Sequence, residues 1–304
     1  MKRNKIILLT ALLLAGFTAC EEYDIFKREQ YKNVFALLSD DGYNIFKVVY
    51  DLDKGTDVGY LAASVGGTIT TEEDINITLV EDESLLTEYN QDTYTSEIWK
   101  YAIHVPTSKY KIEQMSIRIP AGERGGKTAV TVTPEGLSPD STYFIPIRAN
   151  SYSAYEINPK KNTVLFQVQF KNRWATQETT TNYTFRGIRD AANVSGTKRL
   201  DPLTKNRVRI FVGAEAFESN LTKIYTYAII LDVADNGKVT ILPYKAINVK
   251  QVDDDPLYPN KYFIDDDGFK KYKTFLLRYD YTIGNTTYQM KEELRTEYKE
   301  EEKK

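Results

Sequence analysis

From Asn33 onward, apolar side chains recur at every second residue. Ile75, Ile77 and Leu79 alternate with polar neighbours, as do Met115, Ile117 and Ile119, and Val164, Phe166, Val168 and Phe170. A period of two puts the alternating set on one face of an extended strand, so the chain must bury sheet faces. Turn residues punctuate the runs, among them Gly66-Gly67, Asp235-Asn236-Gly237 and Gly284-Asn285. Only Leu85, Leu86, Tyr89 and Asn90 break the rhythm, and they predict one or two helical turns. The 23 Tyr and 13 Phe suit strands. With 1 Cys no disulfide can form within the chain, so hydrophobic cores alone must hold it. The expectation is an all-β protein.

The length allows two cores. Lys171-Asn172-Arg173 is the cleanest boundary. Residues 33–171, short strands with turns between, read as an immunoglobulin-like β-sandwich. Pro146, which cannot donate to a ladder, predicts an edge strand or bulge there. Residues 172–298 read as about eight hairpin-linked strands closing into a lipocalin-like antiparallel β-barrel. Within it, a polar loop is expected up to Asn206, a strand over 223–233, and no helix. Phe275, Leu277 and Tyr279 could plug the lumen or leave it open to a small apolar ligand. Residues 299–304 form a charged tail.

The beginning of the chain gives an address. Lys2, Arg3 and Lys5 precede an apolar run over 6–15, too short for a bilayer core that needs about 20 residues. This is the layout of a signal peptide, residues 1–19. Small residues ending in Cys20 resemble the lipobox of bacterial lipoproteins, in which the Cys sulfur carries diacylglycerol. Glu21, Glu22, Tyr23 and Asp24 resemble an acidic surface-export tag. The resemblance implies lipidation at Cys20, a tether over 20–32 and an outer-membrane, cell-surface protein; the alternative it outweighs is an ordinary cleaved signal with an incidental Cys. The chain carries a net charge of −3, and removing the basic leader makes it more acidic. No long basic block invites nucleic acid or anionic lipid, so the membrane link rests on the acyl chains.

Asp74, Ile75, Asn76 and Ile77, then Leu85 to Asn90, Val105-Pro106, Ile119-Pro120 and Tyr143 to Ile147 together resemble the immunoglobulin-like N-terminal module of Bacteroidetes surface lipoproteins. Tyr272 to Tyr281 is similar to the lipocalin-like module often paired with it. The resemblance implies a role in polysaccharide-utilisation systems, with glycan captured for a neighbouring outer-membrane importer complex. Some relatives add a glycosidase domain, whose acidic signature is absent here.

The chemistry is narrowed further by what the chain lacks. With 1 His, a multi-histidine metal site is impossible, and His104 reads as a solvent-facing strand residue. Neither a Walker-type loop, a dinucleotide fingerprint nor a Gly-x-Ser-x-Gly elbow occurs, so no cofactor is expected. Two acidic runs, 253–255 and 265–267, do not meet calcium-loop spacing and read as solvated turns. Sugar binding needs flat aromatic faces and polar groups for hydroxyls. Trp99, in a polar loop, and Trp174, at the boundary, are the leading candidates, although packing on the first barrel strand is the favoured reading for Trp174. Tyr152, Tyr155, Tyr258 and Tyr262, in polar loops, follow. The expected function is non-enzymatic glycan capture. The alternatives are an adhesin or assembly protein, docking through strand exchange at Pro146, and a glycan hydrolase with two facing carboxylates.

Overall fold

The structure is a computed structural model that describes residues 32–40 and 42–299; the signal peptide expected over 1–19, Cys20 and the end of the tail lie outside the described residues. The first eleven strands are β1 (Val34–Leu37), β2 (Ile45–Asp51), β3 (Asp57–Val65), β4 (Ile75–Glu81), β5 (Ile103–His104), β6 (Tyr110–Ile112), β7 (Ser116–Ile119), β8 (Gly125–Val132), β9 (Tyr143–Tyr152), β10 (Glu156–Ile157) and β11 (Thr163–Lys171). They form two facing sheets, β10-β1-β3-β8-β6 and β2-β11-β9-β4-β7, with β5 added beside β9. The alternating residues meet between the sheets. Phe35, Tyr50, Leu61, Ile77, Ile117, Val132, Ile145 and Phe166 share one buried core. This is the expected sandwich.

Pro146 is not at an edge. It sits in β9, between β11 and β4, opposite Leu165. The Leu165 N–H turns away to Asn44, and Pro146 accepts from the Asp82 N–H just past the last pair of β4. The missing donor therefore faces a place where the ladder has already ended. Strand exchange at this residue loses its basis.

The helical interruption is longer than expected. Glu83–Tyr94 is a helix of 12 residues. Asp82 caps it, accepting from the Ser84 N–H at 3.1 Å and the Ser84 hydroxyl at 2.6 Å. Leu86 and Tyr89 pack it on Phe144 and Leu165, on the outer face of the second sheet.

The second half contains β12 (Thr181–Arg189), β13 (Ala192–Thr204), β14 (Arg207–Phe211), β15 (Ala228–Val233), β16 (Val239–Pro243), β17 (Asn248–Gln251), β18 (Lys261–Asp266), β19 (Lys271–Ile283) and β20 (Thr286–Glu297). Their order is β16-β15-β14-β13-β12-β20-β19, with β17 and β18 pairing to successive lengths of β19. Nine strands thus fill eight positions. The barrel closes where the Tyr262 N–H donates to the Gly237 carbonyl at 2.7 Å and the Val239 N–H to the Asn260 carbonyl at 2.8 Å. Asn260, at positive φ, fastens the crossing between β17 and β18: its amide donates to the Val252 carbonyl and accepts from the Arg278 N–H.

Two expectations fail here. Residues 192–204 form a strand, not a loop. Their inward side chains include Lys198, which the alternation pattern reads as polar surface. Leu221–Tyr227 is a helix preceding β15, where a strand was expected. Asn220 caps it, accepting from the N–H groups of Thr222 and Lys223, and only Ile224 is buried, so aromatic and β-branched composition outweighed the cap in the sequence reading.

The lumen is filled. Phe275, Leu277 and Tyr279 are fully buried with Tyr183, Phe185 and Leu294. Lys198 and Glu292 form an ion pair within it, and the Tyr279 hydroxyl donates to Glu292 at 2.7 Å. Burial lowers the Lys198 pKa, against the opposing pull of Glu292. A small apolar ligand has no room.

The domains are fastened together. Arg209 of β14 is 1% exposed; one guanidinium nitrogen meets Asp140 of the sandwich at 2.5 Å and another meets Asp201 of β13 at 2.8 Å. Tyr244 lies against the guanidinium. The connecting segment is stitched at both ends. The Asn172 amide donates to the carbonyls of Thr204 and Arg207, while Gln177 accepts from the Phe170 N–H. Burial disfavours the Arg209 charge, but the two carboxylates outweigh it and raise its pKa.

Replacing Arg209 by Met leaves the buried Asp140 without its cation and Asp201 with Arg199 alone, and urea unfolding should show a loss of about 3–5 kcal/mol. The Asp82 carboxyl is held below its usual range by the Ser84 hydroxyl and by Arg148. A depressed folded pKa gives stability that is complete above the unfolded value of about 3.9 and fades as pH falls through the folded one. Asp82→Ala should therefore cost about 1 kcal/mol at neutral pH, and the gap should close in strong acid, read by thermal melts across pH.

Candidate binding cleft between the domains

The fastened junction leaves a cleft of about 750 Å³ beside it. One wall comes from the segment after the helix Glu83–Tyr94 and carries Tyr94, Trp99 and Lys100; the other carries Ser219, Asn220 and Leu221 from the barrel. Asp140, Ser141 and Thr142 also line it, and the same three residues border an adjoining recess of about 250 Å³ that reaches Gln169, Gln177 and Arg199. The two spaces run together along the junction.

Trp99 stands in a single 3-10 turn, Ile98–Lys100, and is 67% exposed. The turn is held from below. Thr95 takes positive φ to end the helix, the Tyr101 hydroxyl donates to the Thr95 carbonyl at 2.7 Å, and Asn90 brackets Ala102 with two 2.8 Å hydrogen bonds. The backbone under Trp99 is therefore fixed while the indole stays in solvent.

The charges at the cleft are matched internally. Lys100 pairs with Glu97 at 2.9 Å, Arg199 with Asp201 at 2.8 Å, and Arg209 with Asp140 and Asp201. What remains for a ligand is an indole face with hydroxyls and amides. Both carboxylates at the junction hold Arg209, so they do not form an acid and base facing each other across open space.

Of the residues singled out from sequence, only Trp99 lies in this cleft. Trp174 is 2% exposed and belongs to the barrel core. It meets Tyr262 edge-on at 5.7 Å, with Arg173 over its outer face, so it packs and presents no free face. Tyr262 is half-buried in the same group, and burial pushes its hydroxyl up to about 12. Tyr152 and Tyr155 lie at the far end of the sandwich. β9 begins at the junction and runs 10 residues to Tyr152, about 30 Å at ~3.3 Å per residue. Tyr152 packs edge-on against Phe35, and the Tyr155 hydroxyl accepts from the Glu72 N–H. Tyr258 lines a separate hollow on the barrel wall with Arg186 and Glu293.

His104 is half-buried, with Nδ1 at 3.0 Å from Glu83 and Nε2 at 3.7 Å from Glu81. It is not the free strand face expected. The acidic turns serve the backbone: Asp267 accepts from the N–H groups of Phe269 and Lys270, and Asp255 accepts from the Leu257 N–H and pairs with Lys291 at 2.6 Å. Among the described residues no group of three or more acidic, His or Cys side chains is placed to hold a metal ion. Sequence reasoning missed Tyr94, Asp140 and the 219–221 wall. The Asn220 cap before Leu221 was the one available signal for that wall.

Family models for an N-terminal and a C-terminal domain match residues 27–156 and 162–295, together most of the chain. The chain belongs to this two-domain family. Solved structures from Bacteroides share its architecture. One, a protein of unknown function from Bacteroides ovatus, is 16% identical with a TM-score of 0.63, covering 93% of this chain and 97% of its own. A second from that species, a multidomain protein including DUF1735, is 11% identical with a TM-score of 0.60, covering 88% and 95%. A third, described as an auxiliary nutrient binding protein from Bacteroides thetaiotaomicron, is 13% identical with a TM-score of 0.60, covering 83% and 90%. No curated protein matches the sequence. At these identities the likeness establishes the fold.

The two tryptophans should separate cleanly in mutagenesis. Trp174→Ala should cost about 3–5 kcal/mol in chemical denaturation, as a buried aromatic does. Trp99→Ala should leave stability within about 0.5 kcal/mol.

Proposed function

We propose that this is a non-enzymatic, surface-anchored protein that binds glycan in the interdomain cleft and delivers it to an outer-membrane importer complex. The observation that carries the reading is Trp99, an exposed indole on a rigid turn that shares a cleft with the hydroxyls of Ser141, Thr142 and Ser219 and the amide of Asn220. A pyranose offers a C–H face to such a ring and hydroxyls to such polar groups. The matched charges favour a neutral glycan over a uronate or sulfated one. The third structural relative, described as an auxiliary nutrient binding protein, agrees with this reading.

The anchor fits the same picture. At its beginning the described chain pairs Val34 with Glu156, at the sandwich end remote from the barrel. A lipid on Cys20 would then hold the molecule by that end and hold the cleft outward.

Calorimetry against neutral plant, host and microbial glycans should find a binder whose affinity falls at least about tenfold, ~1.4 kcal/mol, in Trp99→Ala. The affinity should change little with added salt, because the ligand is neutral and the charges at the cleft are paired. Silence across the panel would overturn the reading. Cys20→Ala should move the protein out of the membrane fraction; its retention there would remove the lipid anchor from the account.

A further inference from the structure

The helix that leads to Trp99 borders a second recess, of about 170 Å³, between Tyr43 and Asn44 on one side and Glu88, Tyr89 and Asp92 on the other. Tyr43 is 45% exposed. Asn44 has positive φ, and its amide donates to the Lys160 carbonyl at 2.9 Å and to the Thr163 hydroxyl at 3.1 Å. The turn that presents Tyr43 is thus as well fastened as the turn that presents Trp99.

The recess and the cleft are joined by aromatic rings. Tyr43 meets Tyr89 edge-on at 5.1 Å, Tyr89 meets Tyr94 at 6.1 Å, and Tyr94 meets Tyr101 at 6.4 Å. Tyr94 lines the cleft beside Trp99. Packing accounts for the middle of this series, since Tyr89 also meets Phe144 at 5.1 Å and is buried. It does not account for the ends, where Tyr43 and Trp99 leave much of their rings in water. Around Tyr43, the exposed carboxylates of Glu88 and Asp92 stand one turn apart on the same helix face and can accept from sugar hydroxyls.

We infer that the ligand is a polysaccharide chain bound along its length, with one segment over Trp99 in the cleft and a further segment over Tyr43 between Glu88 and Asp92. The inference rests on the cleft reading above and deepens it: the recess of Tyr43 lies level with Thr163 at the start of β11, whereas the cleft lies beside Tyr143, which pairs with Val168 of the same strand, so about 16 Å at ~3.3 Å per residue separates them, more than a disaccharide spans. Two weak contacts on one continuous chain reinforce each other, because binding at the first holds the second segment at high local concentration. Short oligosaccharides would engage only the cleft.

The test uses the mature chain, with mannan, xylan and mixed-linkage β-glucan as polymers and the disaccharide of each as the short probe, by affinity electrophoresis and calorimetry. In Tyr43→Ala the affinity for the bound polymer should fall about tenfold while that for its disaccharide stays at the wild-type value. Trp99→Ala should weaken both. Glu88→Gln combined with Asp92→Asn should reproduce the Tyr43→Ala pattern in smaller degree. If Trp99→Ala weakens binding and Tyr43→Ala leaves the polymer at wild-type affinity, the extended track is overturned and the cleft stands. If no polymer binds, or neither substitution matters, the cleft reading fails together with the track. Thermal melts of both variants, whose replaced rings are largely exposed, should match the wild type and exclude misfolding as the cause.

Discussion

A guanidinium shielded from water holds this molecule in one shape. Arg209 lies between a carboxylate from each domain, Asp140 and Asp201, and neither domain can turn against the other without exposing or abandoning a charge. Ion pairs of this kind add little net stability over apolar packing, but separating them is expensive. The cost of separation makes the junction rigid, and the rigidity lets a cleft exist before any ligand arrives. A preformed site avoids the ordering entropy that a flexible one pays on binding.

The barrel contributes to that rigidity rather than to capacity. Its interior is occupied by Tyr183, Phe275, Leu277 and Tyr279, and the buried charges of Lys198 and Glu292 are paired with each other within the lumen. Sandwich and barrel therefore act as two solid bodies whose contact line is the interesting surface. Along that line the carboxylates of Asp140 and Asp201 are both paired with Arg209.

Much of the frame was legible in the sequence. Strict alternation in Ile75, Ile77 and Leu79, or in Val164, Phe166, Val168 and Phe170, states directly which side chains face the core. The failures share a cause. Residues 192–204 hid as a strand because an inward Lys is indistinguishable from an outward one until its partner Glu292, far along the chain, is seen. Leu221–Tyr227 hid as a helix because its Thr and Tyr content favours strands and only one of its residues, Ile224, is buried. Pro146 was read as marking an edge because the sequence cannot show that β4 stops beside it. The site was less legible still. Trp99 and Trp174 are the same residue type in similarly polar surroundings, and only the closure of the barrel around Trp174 separates a packing residue from a platform. Asp140 and Arg209 carried no local signal, since their meaning lies in a contact between domains.

The two walls of the cleft come from short connections, the turn before Tyr101 and the segment before Leu221, and neither contributes to a ladder. The frame is indifferent to what these connections carry. Substitutions there can reshape the cleft and change its polarity without disturbing either core, so proteins of this shape can diversify along the junction while remaining interchangeable as scaffolds.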